Sequence, residues 1–252
     1  MSNILITGAA GFLGTKVTSY LSNRNKIYAT DIQTKPLKVI EKKNNNIIIY
    51  QLDISKEKNV KDYFLKLKRN KIFINNVISL AAIDSKPVSN GNKNKYINDK
   101  KFWQKEIDVS INGNLNLFKY FGEEMVKKKN GKFLILGSDL SVIAPNQNIY
   151  KKAFGKFIKP PSYPIIKHAL YGMIKYYASL YAKYNVNVNM ISPGPIYNNH
   201  PKKFESELKK IIPAGKMANR ENILPSIDFL LDKNNSFING QNILIDGGRT
   251  II

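Results

Sequence analysis

Ile4-Leu5-Ile6-Thr7-Gly8-Ala9-Ala10-Gly11-Phe12-Leu13-Gly14 is the stretch that decides how this sequence folds. Its branched apolar opening reads as a short buried strand, and Val17, Tyr20 and Leu21 beyond the last glycine recur at helical spacing. Strand, glycine turn and helix follow in the order that a dinucleotide site requires. Glycines let backbone approach a pyrophosphate, and the helix N-terminus offers unpaired N–H groups to its charge. Gly8, Gly11, Phe12, Leu13 and Gly14 are therefore candidate cofactor contacts, the alternative being a merely tight strand-helix connection.

Working outward, Ile27 to Thr30 makes a second strand ending in Asp31, some 20 residues past the glycine turn. There a carboxylate can accept hydrogen bonds from the adenosine ribose. The alternative is a solvated turn aspartate. Ile32 and Gln33 follow, so no cation directly offsets Asp31, and NAD is expected over NADP. Lys35 and Lys38 are near enough to neutralise part of a 2′-phosphate, which keeps NADP possible. Ile47 to Leu52 is a third strand ending in Asp53; Asp53 and Ile54 join the cofactor candidates, although Asp53 equally suits a cap for the helix from about Lys56 to Arg69. Ile72 to Leu80 is the fourth strand and runs into Ala81-Ala82-Ile83-Asp84. The small Ala81 and Ala82 would admit a flat ligand, and Asp84 is a candidate substrate contact.

Residues 86–101 form a polar excursion rich in lysine and asparagine, and Phe102 to Lys129 is helical by periodicity. Lys132 to Gly137 is the fifth strand, with Ser138 at its end. A long irregular stretch over 140–161, holding Ala144-Pro145-Asn146 and Lys159-Pro160-Pro161, reads as functional because loops of that length are uncommon in compact domains. A helix from Tyr163 to about Tyr184, a strand from Val186 to Ile191, Pro193-Gly194-Pro195, helices over Pro201 to Ile212 and about Arg220 to Leu231, and a last strand Asn242 to Ile245 complete the chain. This alternation predicts an α/β fold: a Rossmann-type doubly wound parallel sheet of about seven strands with helices on both faces. One domain over residues 1–252 is expected, with substrate loops at about 86–101, 140–161 and 195–212 and ligands beyond the strands' carboxyl ends.

Tyr163 and Lys167 lie four apart on a predicted helix and so share one face. A phenol titrates near ~10 in water, and a neighbouring ammonium favours its ionised form. Tyr96 and Tyr171 have the same spacing to a lysine, but Tyr163 alone follows a proline-rich loop at a helix start.

Composition narrows the classes. The sequence has no cysteine and only His168 and His200, so disulfides and thiolate metal sites are excluded and a metal enzyme is not expected. No basic leader or long apolar run occurs, which predicts a cytoplasmic protein without membrane contact. The formal net charge of +22 comes almost wholly from 36 lysines against four arginines. Specific phosphate and base recognition favours the arginine fork, so the excess reads as a solvated lysine surface and no nucleic-acid partner is expected.

With these parts in order, the chain resembles the short-chain dehydrogenase/reductase family along essentially its full length. The marks are Thr7-Gly8 to Gly14, Asp53-Ile54, Ala81-Ala82, Ser138, Tyr163 to Lys167, Ser192-Pro193-Gly194 and Asn239-Gly240-Gln241 to Asp246-Gly247-Gly248. The resemblance implies that Tyr163 exchanges a proton with the substrate oxygen, that Lys167 lowers the tyrosine pKa and binds the nicotinamide ribose, and that Ser138 holds the reacting oxygen. Pro193, Gly194 and Ile196 would lie by the nicotinamide. Ser138 stands 25 positions before Tyr163, where the family typically has about a dozen, and Ser141 is a rival for its role. Ser110 occupies the place of the asparagine that usually anchors a relay water, which keeps a non-catalytic, dinucleotide-binding regulator as the alternative. The shortness and the ending resemble the family's compact branch, whereas the spacing of Gly11, Phe12 and Gly14 is that of the longer sugar epimerases and dehydratases, a further alternative. Ala144-Pro145-Asn146 and Asn198-Asn199-His200-Pro201 are similar to bacterial oxidoreductases of surface-glycan, flagellin-modification and nonulosonic-acid pathways, so Ala144, Pro145 and Asn198 are candidate substrate contacts and a sugar derivative, activated or phosphorylated, is the expected substrate. The resemblance also implies a homodimer or homotetramer formed through the helices near 102 to 129 and 163 to 184, with Leu115, Phe118, Tyr177 and Tyr181 as apolar contacts.

Overall fold

The computed structural model describes residues 1–84 and 99–252. Strands β1 (Asn3–Thr7), β2 (Lys26–Asp31), β3 (Ile47–Gln51), β4 (Asn76–Ser79), β5 (Gly131–Leu136), β6 (Val186–Pro193) and β7 (Asn242–Ile245) form one sheet in the order β3-β2-β1-β4-β5-β6-β7. Every pairing is parallel. The chain winds outward from β1 in both directions, so the carboxyl ends of β1 and β4 meet at the point where the order reverses, the place such sheets reserve for a ligand.

The connecting helices are α1 (Gly14–Leu21), α2 (Lys35–Glu41), α3 (Glu57–Arg69), α4 (Lys100–Ile107), α5 (Gly113–Leu117), α6 (Glu123–Lys128), α7 (Gln147–Phe154), α8 (Ser162–Tyr181), α9 (Lys202–Lys209) and α10 (Leu224–Leu231). Two apolar layers cover the sheet. Leu5, Val77, Phe133 and Val188 pack with α3, α5, α6 and α8 on one face, while Ile4, Ile6, Ile78 and Leu134 pack with α1, α2 and α10 on the other. Alternate residues of each buried strand thus serve opposite layers, which is why their sequences read as unbroken apolar runs. Asn187 and Asn189 interrupt β6 without a penalty, because their amides donate to the carbonyls of Ser236 and Ile238 at 2.9 Å and staple the segment before β7.

The periodic run after residue 100 is helical throughout, but two single-turn π segments, Asp108–Asn112 and Phe118–Gly122, join α4, α5 and α6. Gly113 lies where the run passes Ile54: an added Cβ would stand 2.8 Å from the Ile54 side chain. Phe118 and Tyr181, expected at an interface between subunits, are core residues instead; Phe118 stacks on Phe133 and Tyr177 at 4.0 and 3.8 Å between centroids. Leu115 remains exposed.

The stretch 140–161 is not irregular throughout. Asn146 caps α7 by accepting the N–H of Asn148 at 3.1 Å, and α7 then packs on α9 in a third apolar cluster of Ile149, Phe204, Leu208, Ile212 and Met217. Most of the predicted 86–101 loop, including Tyr96, lies outside the described residues; Asp99 caps α4 through the N–H groups of Lys101 and Phe102 at 3.0 Å. Helix α2 was not anticipated from periodicity, being only seven residues long with one buried side chain, Leu37. Among the described residues no helix is long and apolar enough to cross a membrane.

Candidate active site

The glycine turn between β1 and α1 closes on itself. Gly8 has φ +67°, a left-handed conformation that disfavours side chains, and a Cβ there would stand 2.6 Å from the Ala81 nitrogen. Gly14 is tighter still, its hypothetical Cβ falling 2.1 Å from the Gly8 carbonyl oxygen. No side chain caps α1, and of its first turn the Thr15 N–H is taken by the Gly11 carbonyl at 3.1 Å. At the end of β2 the Asp31 carboxylate is held by the N–H groups of Ala10 and Gln33, each at 3.0 Å. These features fit a dinucleotide: backbone open to a pyrophosphate, and a carboxylate acceptor fixed against the turn through Ala10. Asp53 is no helix cap; its Oδ1 accepts from the N–H and hydroxyl of Ser55 at 3.0 and 2.6 Å, turning the chain toward α3.

A cleft of about 1050 Å³ runs from this turn along the carboxyl ends of the strands. Of the predicted residues, Gly8, Gly11, Phe12, Leu13, Gly14, Ala82, Asp84, Ser138, Tyr163, Lys167, Pro193, Gly194, Ile196 and Asn198 line it. Others lie elsewhere. Ala81 packs on the core beside Gly8, Ile54 is buried, and Ile32 is exposed beyond Asp31. Ala144 and Pro145 do not line the cleft; the helix they introduce does so instead, through Tyr150 and Phe154. Ser110 is buried off the cleft and offers its carbonyl to the Asn114 amide at 2.6 Å. Ser141, the rival to Ser138, is occupied by Ser192 at 3.3 Å and Asn242 at 3.0 Å.

Tyr163 is the second residue of α8, entered through Pro160-Pro161, and Lys167 follows one turn later. Burial pushes the Tyr163 phenol well above its ordinary value; the Asp84 carboxylate adds to this and the Ser138 hydroxyl opposes it. Lys167 does not bring the phenol down to the lowered value that the resemblance implies. The Lys167 ammonium sits 5.6 Å from the Tyr163 ring centroid and donates to the Leu136 carbonyl at 2.9 Å, and burial pushes its own pKa down to about 8. Burial thus favours the protonated form of the Tyr163 phenol. Ser138 donates to Asp139 at 3.0 Å and accepts from the Leu140 N–H at 3.2 Å, so its hydroxyl is fixed at the cleft. Asp139 is in turn ion-paired with Arg249 from the segment after β7, both nearly buried.

Lys159, Tyr150, Asp139 and Arg249 are among the cleft residues that escaped the sequence reading. Lys159 is one lysine among 36, and its burial follows from a backbone clamp by Gln147 that no local pattern announces.

The family model described as enoyl-(acyl carrier protein) reductase matches residues 14–250. The chain belongs to the short-chain dehydrogenases/reductases. Relatives span nearly its whole length: an NAD-dependent glycerol dehydrogenase of Listeria innocua is 27% identical over 98% of this chain and 93% of its own, and a 2-dehydro-3-deoxy-D-gluconate 5-dehydrogenase of Bacillus subtilis is 26% identical over 98% and 88%. A short-chain dehydrogenase of Leptospira borgpetersenii, solved with bound NAD+, superposes with a TM-score of 0.86 at 27% identity, covering 99% of this chain and 92% of that one. This dehydrogenase/reductase is an NAD(P)-dependent oxidoreductase.

Proposed function

We propose that the chain moves a hydride between NAD and the secondary alcohol or ketone of a small polyhydroxylated compound, a sugar derivative, in the cytoplasm. The observation that carries this reading is the convergence of Ser138, Tyr163 and Lys167 on one cleft that begins at the glycine turn. When bound, the nicotinamide supplies or accepts the hydride. In reduction, Ser138 holds the carbonyl oxygen and the Tyr163 hydroxyl gives it a proton as the carbon gains the hydride; in oxidation the same tyrosine takes that proton back. Lys167 would hold the nicotinamide ribose, and its ammonium, one turn from Tyr163, would stabilise the phenolate left behind. Glycerol and deoxygluconate dehydrogenases among the relatives support a polyol or sugar acid. Service in surface-glycan biosynthesis rests on the resemblance at Asn198-Asn199-His200-Pro201, and assembly into dimers or tetramers on the exposed Leu115, Tyr176 and Leu180 of the long helices.

Tyr163→Phe removes one hydroxyl and leaves the cleft shape intact. It should lower turnover of any accepted polyol by at least about 100-fold while NADH affinity stays within about twofold. Equal turnover by wild type and variant would refute the mechanism. A dinucleotide-binding regulator, the reading that Ser110 favours, would bind NADH and turn over nothing.

A further inference from the structure

Among the described residues two lysines line the cleft, and the reaction proposed above uses only Lys167. The second, Lys159, has a side chain only 7% exposed, and its ammonium stands 4.1 Å from the centroid of the Tyr163 ring. Its backbone is held on both sides by one glutamine: the Lys159 N–H donates to Gln147 Oε1 at 3.0 Å, and Gln147 Nε2 donates to the Lys159 carbonyl at 3.1 Å. Pro160 and Pro161 follow directly and stiffen the approach to α8. The ammonium is therefore fixed in place beside the group that exchanges the proton.

Its ion-pair partner is Asp84, and the pair is lopsided, because the Asp84 side chain is 48% exposed. A buried ammonium needs an anion next to it, whereas a half-exposed carboxylate that turns to water gives up little. The cation stays and the anion is exchangeable. The cleft's ion pair between Arg249 and Asp139 lacks this asymmetry: the two side chains are 8% and 4% exposed, so that carboxylate has no water to turn to.

The geometry points to an anion subsite at Lys159, where a carboxylate or phosphate-ester group of the substrate takes the place of Asp84 while the reacting carbon lies at Tyr163 and Ser138. The inference rests on the oxidoreductase reading and narrows it to short hydroxy or oxo acids and polyol phosphates. Because Lys159 lies against the ring of the proton-exchanging tyrosine, the acidic group and the reacting carbon are only a few bonds apart. Neutral polyols leave Lys159 with Asp84 and gain nothing from it.

The full-length protein with NADH bound, so that an alcohol cannot react, is titrated calorimetrically with matched pairs: glycerol 3-phosphate against glycerol, and D-gluconate against sorbitol. The acid of at least one pair should bind about tenfold more tightly than its neutral partner. Lys159→Met should bring that ratio to about one, and Lys159→Arg should restore most of it. Asp84→Asn, at a half-exposed side chain, should act in the opposite direction and tighten the acid roughly threefold by removing its competitor. NADH titration of each variant verifies that it is folded. Absence of acid binding, neutral partners binding as well as acids, an unchanged ratio in Lys159→Met, or weaker acid binding in Asp84→Asn overturns the subsite. With NAD+ in place of NADH, acid binding through Lys159 without any nicotinamide reduction would remove the reaction and keep the subsite. Equal turnover of acids and neutral polyols would keep the reaction and remove the subsite.

Discussion

Replacing Lys167 by methionine should make the free protein more stable at neutral pH while abolishing its activity. Lys167 is 3% exposed, and burial holds its ammonium down from the ordinary 10.5 to about 8, with Asp84 opposing and Lys159 adding to the fall. The folded chain thus releases a proton near pH 8 that the unfolded chain keeps to about 10.5. Between those values the unfolded state binds more protons, so stability rises with pH; below about 8 the whole penalty is present, on the order of 3 kcal/mol. Methionine removes the penalty but leaves the Leu136 carbonyl without its donor, a loss of about 1–3 kcal/mol. The net gain at pH 7 is about 1 kcal/mol, or about 2–4 °C in Tm for a chain of this size. At pH 10.5 the difference should reverse sign, because the wild-type lysine is then neutral and still bonded. Urea unfolding of both proteins across this range isolates Lys167, since every other lysine is common to them. A variant less stable than wild type by the same amount at all pH values would show that the buried ammonium costs the fold nothing.

Wild type should bind NADH at least about tenfold more tightly than NADPH, a difference of ~1.4 kcal/mol, and Asp31→Ala should shrink that ratio, mainly by weakening NADH. Calorimetry with both cofactors reads this directly, and an NADPH preference in the wild type would contradict the role given to Asp31. Gly14→Ala places a methyl 2.1 Å from the Gly8 carbonyl oxygen, so the turn must open; NADH affinity should drop at least about tenfold and stability by roughly 2 kcal/mol. Gly172→Ala in α8, where nothing lies within 4 Å of the added carbon, should instead stabilise by about 0.5–1 kcal/mol, and both effects are measured by urea unfolding alongside NADH titration.

The sheet was legible because its inner strands are buried on both faces and most of them announce themselves as apolar runs. The glycine turn was legible because steric demands there leave no choice of residue. Ser138 and Tyr163 could be placed from the strand end and the proline-rich helix start next to them. Where reading failed, the cause was long-range. Nothing near Ala144 says that Phe204 and Leu208 will hold a helix over the cleft, and nothing near Lys159 says that Gln147 will clamp it. The ionisation of Tyr163 also escaped: spacing puts a lysine on its face, but burial, a property of the whole fold, decides the direction of the shift.

The polar groups of the cleft are gathered from across the chain, from Gly8 in the first turn to Arg249 after the last strand. No segment short of the complete sheet assembles them. A chain that has paired β1 to β5 but not β6 and β7 has its glycine turn, yet lacks the cleft wall at Gly194 and the Arg249 partner of Asp139. Cofactor occupancy is therefore a readout of global rather than local order. Dinucleotide in the surrounding solution acts as a folding reagent for the entire domain: it draws on the last strands to pair as strongly as on the first, and partly folded chains stay chemically silent.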